Sequence, residues 1–394
     1  MRRAIGVPGP AAHNGVPMIR AQDYSQGWVD LEVLYRVSHT IDNAYKRSKV
    51  ITGDVLLTIV GSVGNLAKVP RSFDGSNITQ QTARLSFDPK VADADYYINV
   101  LQSGVGKKVV SNYTKSGVQP SLNLSDVAKF LLPRPPLPEQ RAIAEALSDV
   151  DGLLGGLDRL IAKMRDLKQA AMQQLLTGHQ RLPGFAPANP RFQQTDAGVI
   201  PDDWCIAKCF EITALIGKGA SPKWQGFNYS DGGMLFVTSE NVRDGFLDIS
   251  EPKYLPLEFH EKLNRTKLQV GDILINLVGA SIGRSCRITH DLGAANVNQA
   301  VAVFRLNEPD SCDYVAYYFQ ATATVERIMN MQVDVARPNI SLTNLREFLI
   351  SLPPTLAEQT AIAEVLSDMD AELAALEQKR DKTQHRSALG LLAV

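Results

Sequence analysis

The chain has 394 residues, enough for two or three domains, and its 44% hydrophobic and 21% charged residues are typical of a globular protein. The sequence contains no apolar run near the roughly 20 residues that cross a bilayer, and its N-terminus lacks the apolar stretch of a secretory signal. The formal net charge is −1, which excludes a protein that is basic throughout.

The charge is unevenly distributed along the chain. Residues 1–135 contain 16 Lys and Arg against 10 Asp and Glu, a net of +6, whereas residues 191–353 contain 15 against 19, a net of −4. A nucleic-acid surface would therefore have to be local, above all in the second half.

The four cysteines, Cys205, Cys209, Cys286 and Cys312, all lie in the second half. Cys205 and Cys209 could form half of a metal site, but no second pair of Cys or His follows at ligand spacing. We therefore predict no metal site, buried free thiols and a cytoplasmic, reducing location.

The chain contains a long internal repeat. The stretch EQRAIAEALSDVD at Glu139 recurs as EQTAIAEVLSDMD at Glu358, an offset of 358 − 139 = 219 residues. The repeat extends upstream: GDVLLTIV at 53–60 matches GDILINLV at 271–278, and NITQ at 77–80 matches NVNQ at 296–299. A period this long exceeds that of solenoid repeats. It predicts a duplicated globular domain, each copy followed by a long helix.

The predicted elements follow this plan in chain order. Short β-prone runs predict strands at 55–60, 83–87, 273–278 and 301–306, and helical spacing predicts helices at 94–101 and 314–329. These elements indicate α+β domains with a curled sheet. The predicted boundaries are a first globular domain at 1–135, a long helix at 136–180, a proline-rich linker at 181–200, a second globular domain at 201–353 and a second long helix at 354–394.

Both long helices carry an apolar seam and clear start signals. Pro138 and Glu139 suit the first turn of one helix, and Thr355 precedes Glu358 at capping-box spacing in the other. Apolar residues recur at steps of three and four, which predicts a coiled coil between the helices. The seam consists of Ile143, Leu147, Val150, Leu154, Leu157, Ile161, Ile362, Leu366, Met369, Leu373 and Leu376.

Small residues recur beside this seam at matching positions in both helices. A glycine in a helix interior costs about 1 kcal/mol relative to Ala, so one reading is a local weak spot or kink. The other reading is a smooth face on which a helix of another protein docks. The positions are Gly152, Gly155, Gly156, Ala371, Ala374 and Ala375.

The sequence contains few motifs that could indicate catalysis. The stretch NPRF at 189–192 is similar to a methyltransferase loop, but it lies in the linker and no glycine-rich cofactor loop accompanies it. The glycine-containing turns at 61–64 and 279–283 lack the phosphate-binding patterns. The residues predict no catalytic site.

Four motifs occur twice in the chain: GD-V/I-L, N-I/V-x-Q, a Pro-rich join and EQxAIAExLSDxD. In this combination the chain resembles the DNA-specificity subunit of Type I restriction-modification systems. The resemblance covers almost the whole chain. It implies an α+β fold with two target-recognition domains joined by two long antiparallel helices that form a coiled coil, each domain reading one half of a split DNA site.

The resemblance also implies partners and a division of labour. This chain would be non-catalytic, present in one copy, and would bind double-stranded DNA, two methyltransferase subunits and, through them, two restriction subunits. S-adenosylmethionine, ATP and Mg would be bound by those partners, and the chain itself would hold no cofactor. The helices would set the distance between the two half-sites.

Two regions depart from the family pattern. The second copy opens with residues 201–218, and the first copy has no counterpart for them, since Met1 aligns with about Gly219. At the other end, seam positions of the second helix become Arg380 and Thr383, which predicts looser pairing there.

Polar and basic side chains on loops are the candidates for reading bases, because they present paired donors to base edges. Gln119 and Arg337 occupy repeat-matched positions, so a structural role is an alternative for both. The candidates are Arg20, Lys107, Lys108, Lys115 and Gln119 in the first copy, and Lys218, Lys223, Thr238, Asn241, Arg243, Arg337 and Asn339 in the second.

Two other classes of function remain open. One is a catalytic methyltransferase or nuclease of a related system, which the missing cofactor motifs disfavour. The other is a two-headed adaptor with no DNA role, which the acidic second half favours.

Overall fold

A computed structural model of the chain describes residues 9–308, 311–331 and 339–392. The chain divides into two compact units: the described residues of 1–159 with those of 377–394, and the described residues of 160–376. We call them the first and the second unit.

The first unit contains two small sheets. Strand β1 lies between β2, antiparallel to it, and β5, parallel to it. Strand β3 lies between β4 and β6, both antiparallel. The strands are β1 (Val16–Ile19), β2 (Tyr35–Val37), β3 (Val55–Thr58), β4 (Leu66–Lys68), β5 (Asn77–Ile78) and β6 (Thr82–Leu85). The short helices are α1 (His39–Ala44), α2 (Ala94–Gln102), α3 (Gly104–Tyr113) and α4 (Leu124–Val127).

The second unit repeats this plan and adds strands to it. After the first long helix, α5 (Leu137–Leu176), come β7 (Phe192–Thr195), β8 (Gly198–Pro201), β9 (Cys205–Lys208), α6 (Cys209–Ile212), β10 (Thr213–Lys218), β11 (Met234–Val237), β12 (Tyr254–Leu255) and α7 (Leu257–Lys262). Then follow β13 (Ile273–Asn276), β14 (Ser285–Arg287), β15 (Ala295–Val297), β16 (Val301–Leu306), α8 (Cys312–Gln320), α9 (Thr322–Met329), α10 (Leu342–Glu347), β17 (Leu349–Leu352) and the second long helix, α11 (Leu356–Leu392).

The sheets of the second unit correspond to those of the first. Strand β11 lies between β12, antiparallel to it, and β15, parallel to it, as β1 does between β2 and β5. The other sheet has the order β10-β16-β13-β14, so β10 is a fourth strand beside the three that match β6, β3 and β4.

Residues 205–218 make the main difference between the units. They supply β10 and also β9, which pairs with β17. Ile350 of β17 is fully buried, whereas its repeat-matched Leu131 is 86% exposed. Among the described residues of the first unit, no strand occupies the positions of β9 and β10.

The repeated Gly-Asp pair is a structural motif. Gly53 and Gly271 have φ values of +89° and +91°, a region that favours glycine. The carboxylates of Asp54 and Asp272 each accept a 2.8 Å hydrogen bond from a backbone N–H three residues earlier. Each turn thus fixes the entry of the chain into the central strand, β3 or β13.

The long helices pair with opposite directions. Within the second unit, Lys168 of α5 is ion-paired with Asp370 of α11, and Arg181, just beyond the end of α5, is ion-paired with Glu358 near the start of α11. Higher numbers in α5 therefore meet lower numbers in α11. At 1.5 Å per residue, the 40 residues of α5 extend about 60 Å.

Several predicted boundaries were corrected. The predicted linker contains most of the β7–β8 hairpin, which its three prolines disfavour at the level of sequence. The helix predicted at 314–329 is two helices, because Ala321 adopts an extended conformation between them. Helix α3 was not predicted at all. No described helix is both long and apolar enough to cross a membrane.

Candidate nucleic-acid interface

In the first unit, two predicted lysines lie on the solvent side of α3. Val110 anchors this helix in a cluster with Leu57 and Leu122, and Lys107 and Lys108 are exposed. Among the described residues, neither ammonium group has a carboxylate within 4.0 Å. Their charges are therefore available to a ligand.

The predicted residues Lys115 and Gln119 lie in an exposed loop beside this helix. The backbones of Lys115 and Ser121 bond to each other at 2.9 and 3.3 Å, which closes the loop. The backbone N–H of Gly61 donates to the carbonyl of Pro120 at 3.0 Å, so the loop is held against the 61–64 turn. Gln119 is exposed on the loop. Lys107, Lys108, Lys115 and Gln119 form what we call the first basic surface.

In the second unit, Lys218 and Lys223 lie at the end of β10 and in the turn that follows. Between them, Gly219 approaches the backbone of Val297 so closely that a Cβ would lie 1.7 Å from its carbonyl oxygen. Only glycine fits this crossing. Lys223 opens a 3-10 turn, Lys223–Gln225, and both lysines are exposed.

Two further basic residues lie on segments that pack beside this turn or beside β10, and sequence reasoning missed them. The Lys262 ammonium group lies 5.7 Å from the ring of Phe227. The carbonyl oxygen of Arg265 lies 3.8 Å from the position of a Cβ on Gly217, next to Lys218. Lys218, Lys223, Lys262 and Arg265 are the second basic surface.

Several cations of the second unit have acidic partners, but those of the second basic surface have none among the described residues. Glu258 and Glu261 are exposed on α7, but within the described residues no carboxylate oxygen lies within 4.0 Å of the four cations. By contrast, Lys208 and Lys253 each bind a glutamate at 2.6 Å.

The predicted Arg20, Thr238 and Asn241 have structural roles. After β1, the Arg20 guanidinium pairs with Asp23 at 3.0 Å, and the Arg20 N–H donates to the same carboxylate at 2.8 Å. At the equivalent position after β11, the N–H and hydroxyl of Thr238 donate to the Asn241 side chain at 2.8 and 3.0 Å. Thr238 is also buried. These polar atoms close turns, and the base-reading role of the three residues stays a prediction.

The remaining predicted residues of the second copy differ in their surroundings. Arg243 contacts Asp248 at 3.4 Å on an exposed loop. Asn339 is exposed and bridges to Val278, as Ser121 does to Val60 in the first unit. Arg337 lies outside the described residues.

Within each unit, seam residues of the long helices are shielded from solvent. In the first unit Leu157 is 5% exposed, and Ile143, Leu147, Val150 and Leu154 are half-buried. In the second unit Ile161, Ile362, Leu366 and Leu373 are buried, and Met369 and Leu376 are half-buried. Thr383, where looser pairing was predicted, is half-buried, and Arg380 lies 3.8 Å from Asp158.

The repeated glutamine at each helix start anchors the helix to the Pro-rich join. Gln140 is fully buried; it accepts from the N–H of Asp93 at 2.8 Å and donates to the carbonyl of Pro135 at 2.8 Å. Gln359 donates to the carbonyl of Pro353 at 3.2 Å. The backbone N–H of its neighbour Glu358 donates to the hydroxyl of Thr355 at 3.3 Å, at the predicted cap.

Cys205, Cys209 and Cys286 of the second unit are free thiols, and burial perturbs the pKa of two of them. Burial raises the pKa of Cys209 and of Cys286 to about 12, whereas Cys205 is exposed. In the described part of the chain, no cluster of His, Cys, Asp or Glu has the arrangement of a metal site.

These features define an α+β protein with two globular domains, each with a basic surface, joined by two long helices. The profile of the family described as "Type I restriction modification DNA specificity domain" matches residues 10–161 and 201–383. The chain therefore belongs to the family of Type I restriction-modification specificity subunits, and its two globular units are target-recognition domains. The resemblance seen in the sequence and the predicted fold class are confirmed.

Relatives and solved structures agree. The chain is 30% identical to the EcoBI specificity subunit of Escherichia coli over 175 residues, which is 43% of this chain and 37% of that protein. It is 24% identical to the MjaVIII specificity subunit of Methanocaldococcus jannaschii over 84% of this chain and 78% of the relative. The S subunit of M. genitalium has the same fold, with a TM-score of 0.54 at 14% identity over 99% of this chain and 91% of that one.

Proposed function

We propose that the chain is the non-catalytic DNA-reading subunit of a Type I restriction-modification complex. Each unit reads one half of a bipartite site, and the paired helices set the gap between the halves. The helices also dock two methyltransferase subunits, which recruit two restriction subunits. S-adenosylmethionine, ATP and Mg are bound by those partners, and double-stranded DNA is the ligand of this chain.

The observation that carries this proposal is the local concentration of unpaired cations. Residues 191–353 are net negative, yet the four residues of the second basic surface are exposed and, among the described residues, have no carboxylate within 4.0 Å. Exposed cations of this kind bind phosphates. Unlike an adaptor with no DNA role, a DNA-reading subunit requires such a surface in each unit.

DNA binding is tested with a matched pair of double variants. In Lys218→Ala/Lys223→Ala, affinity for duplex DNA should fall, and the slope of log K against log salt should decrease by about 2, since each phosphate contact contributes about 0.9. The control is Lys208→Ala/Lys253→Ala, whose lysines are already neutralised by glutamates. Equal salt slopes for both variants, measured by fluorescence anisotropy at several salt concentrations, would contradict the proposed surface.

The spacing role is tested by lengthening both helices together. Inserting seven residues directly after Asp158 and seven directly before Arg380 adds one heptad to each helix, keeps the Asp158–Arg380 contact in register and leaves the small residues in place. The gain is about 10 Å of helix, or about three base pairs. Sequencing of methylated host DNA should show the same half-sites with a longer gap. Undiminished methylation at the original gap would refute the spacing role.

The docking role is supported by the exposure of the small residues. A Cβ on Gly152 or Gly156 would meet no atom within 4 Å, so packing within this unit does not require glycine there. Ala371, Ala374 and Ala375 of the second unit are also exposed. Neither observation indicates a kink within α5, which is one unbroken helix.

The docking test uses single changes on each helix. Gly156→Leu and Ala375→Leu should each abolish co-purification with the methyltransferase subunits and leave thermal unfolding unchanged. Gln378→Leu, an exposed position on α11, serves as the control. Normal assembly of the first two variants would exclude these positions from the interface.

A further inference from the structure

The three tryptophans of the chain differ sharply in their surroundings. Trp28 packs 4.5 Å from the ring of Phe73, and its indole N–H donates to the carbonyl of Lys68 at 3.1 Å. Trp204 is 3% exposed. Trp224, in contrast, is 89% exposed, although tryptophan is among the residues that are most buried on average. An indole carries about 150–250 Å² of largely apolar surface, so its exposure calls for a functional reason.

The turn that carries Trp224 is firmly held. The N–H groups of Gln225 and Phe227 donate to the carbonyl of Pro222 at 3.0 and 2.9 Å. Gly226 adopts φ +83°, which lets the turn close. The backbone thus fixes the position from which the indole extends.

An aromatic anchor fixes the far end of this turn. Phe227 packs edge-to-face against Phe259 at 5.3 Å, and Phe259 is fully buried. Ala220, at the near end, packs against the same cluster. The indole therefore extends from a preorganised support.

The charges around Trp224 favour a polyanion as its ligand. Lys223 is its neighbour in the turn, and the Lys262 ammonium group lies 5.7 Å from the ring of Phe227, at the far end of the same turn. Neither lysine has a carboxylate within 4.0 Å in the described part of the second unit. An apolar protein partner would not require unpaired cations on the segment that carries the exposed indole, whereas DNA offers both bases to stack on and phosphates.

We propose that Trp224 is a specificity-determining residue whose indole inserts between adjacent base pairs of the half-site read by the second unit. This inference rests on the proposed DNA-reading function. Apolar side chains that enter a base step unstack it, and the energy of this deformation depends on the step. Trp224 therefore reads the deformability of one step, and the surrounding cations hold the flanking phosphates.

The recognised sequence is first identified as the site that the chain methylates together with its own methyltransferase subunits. The probe is a duplex of that sequence in which 2-aminopurine is placed at successive positions of the second half-site. Binding of the wild-type complex should raise 2-aminopurine fluorescence at one step and quench Trp224 emission. The contribution of Trp224 is the difference from Trp224→Phe, because Trp28 and Trp204 remain in that variant.

The variants predict distinct losses. In Trp224→Ala, affinity for the methylated site should fall about tenfold or more, with the salt slope and the binding of unrelated DNA unchanged. Trp224→Phe should keep most of the affinity and the 2-aminopurine signal. Phe246→Ala is the matched control, since Phe246 is another exposed aromatic of this unit, at 59%, and should change neither.

The outcomes separate the two proposals. If the complex methylates no bipartite site, the proposed function fails. If methylation is normal and Trp224→Ala binds the site as tightly as wild type, the role of Trp224 is overturned while the function stands. A Trp224→Ala chain that loses the methyltransferase subunits but keeps its 2-aminopurine signal would also overturn it.

Discussion

The buried ion pair between Arg181 and Glu358 offers a sharp test of the second unit's structure. The two side chains are 6% and 1% exposed, and the guanidinium donates two hydrogen bonds to the carboxylate, one of them at 2.7 Å. Arg181 also binds Asp203 at 2.9 Å and lies 5.6 Å from the ring of Trp204. Glu358→Gln keeps the shape of the side chain and removes its charge.

The expected cost follows from the burial. Removing one partner of a buried ion pair destabilises by about 3–5 kcal/mol, because an uncompensated charge remains. Asp203, at 35% side-chain exposure, keeps part of the compensation, so we expect a loss of about 3 kcal/mol in the free energy of unfolding, near the lower end of that range. With a urea m-value of about 3 kcal/mol/M, the unfolding midpoint should fall by about 1 M.

The repeat provides the control for this measurement. Glu139 occupies the matching position in the first copy and is exposed, so Glu139→Gln should change stability by no more than about 0.5 kcal/mol. Urea unfolding is followed by tryptophan fluorescence, to which Trp204, 5.6 Å from the Arg181 guanidinium, contributes. Coinciding midpoints for the two variants would refute the argument that this pair is buried and structural.

Two further predictions concern the same unit. With a thiol reagent at neutral pH, Cys205 should react rapidly. Cys209 and Cys286 should react only after unfolding, because burial raises their pKa values to about 12. Rapid loss of all the thiols in the native chain would contradict their burial. On α5, Ile161→Ala should lower the free energy of unfolding by about 2–5 kcal/mol. The adjacent Leu160 is 43% exposed, so Leu160→Ala should lower it by less than about 0.5 kcal/mol. Equal thermal unfolding of the two variants would place the seam elsewhere.

The features that the sequence could predict are those with a strong period or an internal copy. The long helices follow from apolar steps of three and four, and their starts from Pro138 and Thr355. The repeat located the central strands because the same turn, Gly53-Asp54 and Gly271-Asp272, occurs before both. Such signals are local and redundant, so they survive without knowledge of the tertiary structure.

The interface was only partly predictable because its residues come from separate segments. Lys218 and Lys223 could be chosen as loop cations, but Lys262 and Arg265 join them only through the packing of α7 and its following turn. Thr238 was chosen as a polar loop residue, and nothing in its sequence showed that Asn241 occupies its hydrogen-bonding groups. A polar residue is available to a ligand only when the fold leaves it without a partner.

The two units also differ in how their sheets end. In the described part of the first unit, β6 bonds only to β3. Leu131 of that unit is 86% exposed, whereas the second unit buries the matching Ile350 of β17, which pairs with β9. An open strand edge is a template for adding strands from another molecule. Arg84 on β6 opposes such pairing by placing a charge, ion-paired with Asp54, at this edge. The open edge of β6 therefore predicts that self-association of the purified chain starts at the first unit.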